Sequence, residues 1–278
     1  MSILTFTLIV LAGAFLAGLL GSLTGLGGAV VIIPLLTLGF GVDLKYAIGT
    51  SLVAIIANSS GSAAAYVREG ITNIRLGMFL EIATTIGAVI GAVIAGFVPS
   101  HIVAVIFGAV LIMSAMMQLR KKQDHLELAE TSKLAKTLRL NSSYPTGDGE
   151  IQYAMRRVPG GFVMMIVAGI MSGLLGIGSG AFKVLGMDYI MHVPFKVSTT
   201  TSNFMIGVTA AASAVVYLQR GYIEPGLCFP VVIGVLAGAM TGSKILLRSG
   251  TELLRKIFSV VISIIAIEMI YNGITGKI

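Results

Sequence analysis

The residues best placed to do chemistry in this chain are two glycine-rich clusters and a few polar side chains set in apolar surroundings. Thr24-Gly25-Leu26-Gly27-Gly28 and Leu175-Gly176-Ile177-Gly178-Ser179-Gly180 each stand just before a short apolar run. The first N–H groups of a helix lack intrahelical partners, and the helix dipole places partial positive charge there. Glycines leave those N–H groups open to an approaching anion. Gly25, Gly27, Gly28, Gly176, Gly178, Ser179 and Gly180 are therefore expected to bind a small anion. A role in tight turns and close packing alone is the competing account. One cluster would favour packing; the same motif twice, each before an undersized helix, favours binding.

Lys183 is the sharpest single residue, four positions past Ser179 inside an apolar run. A lysine at membrane depth is costly and faces a polar cavity or a partner. It is expected to act as counter-charge for an anionic substrate; pairing with an acid, or snorkelling from a shallow hairpin, are the alternatives. Asp188 is poorly phased with it on a helix. Thr50-Ser51 and Ser198-Thr199-Thr200-Thr201-Ser202-Asn203 open corresponding helices. Thr50, Ser51, Thr201, Ser202 and Asn203 are candidates to donate to an oxyanion, with helix capping and interhelical hydrogen bonding as the alternative. Asn58 reads as glue between helices. Glu81 and Glu268 are carboxyls within apolar segments that carry a proton if transport is coupled, or else sit at the interface.

Other chemistries fail on the residues present. A dinucleotide fingerprint needs a strand–turn–helix unit and an acidic residue about 20 positions on, and no P-loop exists for direct ATP coupling. An intramembrane serine protease built on Ser179 needs a histidine base within a membrane helix. His101, His125 and His192 lie at a span boundary, in a linker and at a segment end. The lone Cys228 excludes an internal disulfide and argues against a cysteine-based metal cluster. No catalytic residue, metal site or cofactor is expected.

The elements that must position these residues follow from composition. Of 278 residues, 56% are hydrophobic and 11% charged, against roughly 25% charged in soluble domains. Mean hydropathy is +0.96. A soluble enzyme and a disordered chain are both excluded, leaving a polytopic membrane protein. The net charge of +7 would suggest nucleic acid in a soluble protein, but the basic residues lie mostly between apolar segments and report topology. The lipid bilayer, not nucleic acid, is the expected partner. The N-terminal apolar stretch is read as a first span, not a cleaved signal.

Apolar segments run over 3–23, 28–40, 46–67, 75–98 and 101–119, then 159–175, 180–192, 197–218, 227–248 and 253–273. About 20 residues are needed to cross a bilayer core, so 28–40 and 180–192 are too short. Undersized segments in matching places of two halves point to broken or re-entrant helices at a transport site. The halves also match at a constant offset of 151, with 17 identities in 70 ungapped positions between 25–94 and 176–245. An internal duplication follows. The expected fold is all-α: a first transmembrane repeat over 1–120, a linker over 121–158 and a second repeat over 159–278. Placing the linker in the cytoplasm puts 15 basic residues inside against Lys45, Arg220 and Lys277 outside, which obeys the positive-inside bias and makes the repeats inverted. The linker is expected to be a solvated connector, with an amphipathic interfacial helix over 121–140 as the alternative, and 141–147 reads as a loop.

Gly25-Leu26-Gly27-Gly28-Ala29 with Pro34, the second cluster Gly176-Ile177-Gly178-Ser179-Gly180, the Thr-Ser pair opening the next helix and the Tyr-x-x-x-Gly closing it resemble the TauE/SafE sulfite exporter family. The resemblance covers nearly the whole chain outside 120–158. It implies an inner-membrane carrier of sulfite, sulfonates or related small organic anions. Leu185 in place of a second proline, and Lys183 beside Phe182, depart from that pattern. The expected function is secondary transport of a small anion by alternating access, driven by a proton or ion gradient, in the cell inner membrane. An anion channel and a non-transporting structural subunit are the rivals. Nothing in the sequence sets an oligomeric state.

Overall fold

A computed structural model describes residues 3–24, 27–119, 132–146, 149–248 and 252–278. The first half comprises α1 (Ile3–Thr24), α2 (Ala29–Pro34), α3 (Leu44–Arg68), α4 (Ile74–Ala95) and α5 (Ser100–Leu119). A linker with α6 (Lys133–Thr137), β1 (Ser142–Thr146) and β2 (Gly149–Tyr153) follows. The second half comprises α7 (Val158–Leu175), α8 (Gly180–Leu185), α9 (Phe195–Gln219), α10 (Pro225–Arg248) and α11 (Glu252–Ile274). Six of these helices are long and apolar enough to cross a membrane: α1, α3, α4, α7, α9 and α10.

The 151-residue offset of the sequence is an offset of structure. α2 and α8 are each six residues and start 151 apart, and each widens into a five-residue π turn, Leu35–Gly39 and Gly186–Ile190. α3 and α9 begin and end 151 apart. Pro34 removes one backbone donor from the first short helix. The second copy has Leu185 there and makes the same π turn, so the proline is not its cause.

Small residues set how the long helices meet. In α10, Gly234, Gly238 and Gly242 lie on the carbonyls of Leu11, Phe15 and Leu19 in α1. In α4, Gly87 and Gly91 lie on Ile166 and Ile170 of α7, while Gly169 and Gly173 reach back to Thr84 and Ala88. Glycine at four-residue spacing lets two backbones touch where lipid provides no hydrophobic drive. Both pairs run parallel. The central pair runs antiparallel: Gly49 near the start of α3 lies on Tyr222, just past α9, and Ser59 donates to the Asn203 carbonyl at 2.6 Å. α5 and α11 are antiparallel too, with Gly108 on Ala266 and Gly273 on His101.

The surface is apolar and much of the interior is not. Met78, Ile82, Ile86, Ile90 and Ile94 form an exposed stripe along α4, while Thr50, Asn58, Thr201, Asn203 and Lys183 are buried. That is the distribution of a multi-pass membrane protein, whose polar groups turn inward.

The linker corrects one expectation. Residues 142–146, within the stretch 141–147 read as a loop, form a β-strand: β1 pairs antiparallel with β2, Ser142 opposite Tyr153 and Thr146 opposite Gly149. Pro145 is tolerated because each strand of a two-stranded sheet is an edge. The hairpin is held from outside itself. Asn73, at the N-terminus of α4, donates to the Leu140 carbonyl at 2.8 Å and to the Tyr153 hydroxyl at 2.9 Å. Burial pushes the Tyr153 phenol up to about 12, so it stays protonated at any physiological pH. Most of the alternative interfacial helix, residues 120–131, lies outside the described residues; α6 within it is five residues long.

If backbone contact through glycine sets the helix pairs, Gly238→Val lowers the melting temperature in detergent, at a cost of about 1–3 kcal/mol. Gly226→Ala, where an added Cβ meets nothing within 4 Å, leaves it unchanged. Equal effects would remove the packing argument.

Candidate functional site

The two glycine clusters, far apart in sequence, meet at the crossing of α3 and α9. Ile55 and Ile206 are the offset-related residues at that crossing, and both flank Gly27 and Gly178. Ser51 of α3 donates to the Gly176 carbonyl at 2.8 Å and to Ile48 at 2.7 Å. Tyr66 at the end of α3 donates to the Ser22 carbonyl, just ahead of the first break. Tyr217 makes the offset-related bond to Gly173 at 3.2 Å. Each long central helix thus holds both breaks in place.

The breaks are possible because of their backbone. Gly27 and Gly178 have φ of +83° and +67°, in the left-handed region that side chains disfavour. Ser179 adopts φ +47° without being glycine, a local strain held by its surroundings. Gly25 lies outside the described residues; Gly28 and Gly180 begin the α2 and α8 turns.

The hydroxyl candidates separate into two groups. Ser51, Ser202 and Asn203 are near the breaks: Ser202 donates to Gly180 at 3.4 Å and Asn203 to Ser22 at 3.2 Å. Thr50 and Thr201 serve the flanks instead. Thr50 contacts Cys228 of α10 at 3.7 Å, and Thr201 accepts from the Asn73 backbone at 3.1 Å. The Ser179 and Ser172 hydroxyls, the Asn203 amide oxygen and both polar atoms of Asn58 are buried and have no hydrogen-bond partner among the described residues. A buried polar group without a partner is costly. Around a break in a membrane protein such groups are free to receive a ligand or water.

Lys183 is fully buried, and its ammonium faces a partner. It donates to the Thr209 hydroxyl, which in turn donates to Glu81 Oε1, while Glu81 Oε2 lies 3.8 Å from Lys183 Nζ. Thr84 adds a second hydroxyl within 3.5 Å of Thr209. Glu81 is therefore not at an interface: it sits two turns into α4, 7% exposed and turned inward. Glu268 is exposed on α11.

Sequence reasoning did not single out Ile55, Ile206 or Thr209. The first two stand among the identities at the 151-residue offset, so the repeat itself carried their signal. Thr209 had none, because its partners come from α8 and α4, 26 and 128 positions away.

The long apolar helices, the paired broken helices at the centre and the inward polar residues define a helical multi-pass membrane protein with interrupted helices at its core. Comparison with known proteins gives the family. The family model described as sulfite exporter TauE/SafE matches residues 10–269. The chain belongs to that family, and is a membrane transport protein of it. It is 28% identical to the probable membrane transporter protein YunE of Bacillus subtilis, over 98% of this chain and 99% of that one. It is 26% identical to the probable membrane transporter protein YdhB of the same organism, over 83% and 86%. The probable membrane transporter protein MJ0441 of Methanocaldococcus jannaschii is 23% identical, over 96% of each chain. No solved structure matches the chain.

Removing one member of a buried ion pair leaves an uncompensated charge, whereas replacing both with apolar residues is close to neutral. Lys183→Met is expected to destabilise the protein by about 3–5 kcal/mol, and Lys183→Met with Glu81→Leu to recover most of that loss. Thermal melting of the single and double variants in one detergent decides it; equal losses would show that the two charges do not depend on each other.

Proposed function

We propose that this protein is a secondary transporter that carries a small anion, of the sulfite or organosulfonate type, by alternating access. The observation that carries the reading is the meeting of the two helix breaks across Ile55 and Ile206, with unpartnered buried polar groups beside them. Gly25, Gly27, Gly28, Gly176, Gly178, Ser179 and Gly180 supply backbone N–H groups. Ser51, Ser202 and Asn203 line the site, and Thr50 and Thr201 support it from the flanks. Lys183 supplies the positive charge; among the described residues no other lysine or arginine is buried. The substrate class rests on the family and on a site rich in N–H and O–H donors.

Inverted repeats suit this reading. The offset-related helices α3 and α9 run antiparallel, as do α5 and α11, while α1 pairs with α10 as α7 pairs with α4. The two ends of the centre differ. At one, a cavity of about 450 Å³ is lined by Phe6, Val42, Tyr46, Glu224, Gly226 and Leu227. At the other, the offset-related Val193, Val197, Asn73 and Leu76 are buried, packed with Tyr153 and Met155 of the linker. The cavity lies at the end of the bundle away from the linker, and the linker packs over the other end. The distribution of basic residues favours a cytoplasmic linker, and on that reading the cavity faces outward.

Purified protein in liposomes is expected to take up labelled sulfite, sulfoacetate or taurine with saturation, and faster when the same anion is present inside. Flux that never saturates would make it a channel; no movement of any of the three would end the proposal. Ser142→Cys in the hairpin should resist a membrane-impermeant maleimide in intact cells and react after lysis, and labelling of intact cells would reverse the orientation.

A further inference from the structure

The backbone of the two halves repeats, but their buried charge does not. The positions 151 residues from Lys183, Glu81 and Thr209 are Ile32, Val232 and Asn58. The repeat-related place, to which both halves likewise contribute, therefore has apolar side chains and a neutral amide, so the repeat itself does not call for ions there. An ion pair at membrane depth is expensive, and apolar residues of similar volume commonly replace one without loss. The place built by α4 of the first half with α8 and α9 of the second keeps a charge pair that the repeat does not require.

The pair also has the geometry to change partners. Lys183 lies one helical turn beyond Ser179, and its backbone N–H is bonded to the Ser179 carbonyl at 3.1 Å. Thr209 lies one turn beyond Ile206, which packs on Gly27 and Gly178. The Lys183 backbone is thus about 5 Å of helix rise from the break, and the Ser179 hydroxyl at the break has no partner among the described residues. Glu81 Oε2 accepts no hydrogen bond among the described residues, leaving a lone pair where a proton can be received.

We propose that Glu81 is the proton site of transport, and that its protonation hands the Lys183 charge from Glu81 to the anion. The inference rests on the anion-carrier reading above. In the empty site Lys183 and Glu81 neutralise each other. An anion entering beside that pair would leave a net negative charge in a medium of low dielectric, which is unfavourable. A proton from the aqueous side forms an O–H bond at Glu81 Oε2; the carboxyl becomes neutral and the ammonium is balanced by the anion. Empty and loaded sites are both neutral, so a monovalent anion crosses with one proton and no net charge. Among the described residues, no other ionisable group on the helices packed against α4 lies beside Glu81. α7 contains none, Lys196 and Tyr217 lie near opposite ends of α9, Arg75 is at the start of α4, and Asp188 and Tyr189 are on the π turn after α8. The ion pair of Glu81 with Lys183 is the one that the described residues form with this carboxyl.

Linkage fixes the sign. A proton that favours anion binding is itself bound more tightly when the anion is present, by the same factor. Affinity therefore rises as pH falls and declines above the Glu81 titration, by up to about tenfold per pH unit for one linked proton.

The test uses the full chain in nanodiscs with isethionate, a sulfonate whose own charge is constant between pH 5.5 and 8.5. Wild type should bind it more weakly as pH rises. Glu81→Gln should bind it equally across that range, and Lys183→Met should bind it weakly throughout. Lys183→Met with Glu81→Leu, which gives this place the apolar filling of its repeat-related counterpart, should fold and bind weakly without pH dependence. Glu268→Gln should keep the wild-type profile. In liposomes, isethionate uptake by wild type should follow an inward proton gradient and ignore an imposed membrane potential. Binding by wild type that does not vary with pH, or Glu81→Gln with the wild-type profile, would overturn the proton site while leaving the carrier reading intact. Failure of wild type to bind or move sulfite or any sulfonate would overturn both.

Discussion

Backbone N–H and C=O groups in a bilayer have no water to turn to, so a membrane helix can be interrupted only where protein encloses the interruption. This constraint organises the molecule. Two breaks have to be hidden, and the antiparallel crossing of α3 and α9 hides them. Ser51 reaches the Gly176 carbonyl, and Tyr66 and Tyr217 reach Ser22 and Gly173 just ahead of the breaks. The parallel pairs α1–α10 and α4–α7 close around that crossing through glycine contacts too tight for any larger residue. The result brings helix turns, hydroxyls and one lysine together at a point that lipid does not reach.

A symmetric scaffold with an asymmetric interior suits the proposed carrier. If the equivalent elements allow two arrangements, a ligand shifts the balance between them only through what it binds differently in each. The linker breaks the symmetry at one end, where the hairpin covers the residues offset-related to those lining the open cavity. The Lys183–Thr209–Glu81 network breaks it again where α4 of the first half meets α8 and α9 of the second. The first asymmetry lies at one end of the bundle, and the second lies in its buried charge.

Much of this was legible in the residues. Two short apolar segments in matching places, a constant offset and low charge content are local or periodic signals, and α2, α8 and the six long helices follow them closely. The family resemblance rested on the same motifs and was met by the family match over residues 10–269. The hairpin over 142–153 was not legible, because Ser-Ser-Tyr-Pro-Thr carries the composition of a loop and gains its order from Asn73 and the buried Tyr153. Glu81 was misplaced for a related reason. Its distance along α4 suggested an interface, but which face it presents depends on the helices packed beside it.

The sequence by itself determined the membrane class, the duplication, the positions where helices must break and the residue types gathered there, since hydropathy and glycine act through local backbone physics. Tertiary structure decided which groups meet. Lys183 and Glu81 are 102 positions apart, and nothing short of α4, α8 and α9 packing together could make them partners. The same packing selected Ile55 and Ile206 from many isoleucines as the pair between the breaks. Contact between distant segments is a property of the assembled fold, because a side chain's neighbours in a helical bundle come mostly from other helices.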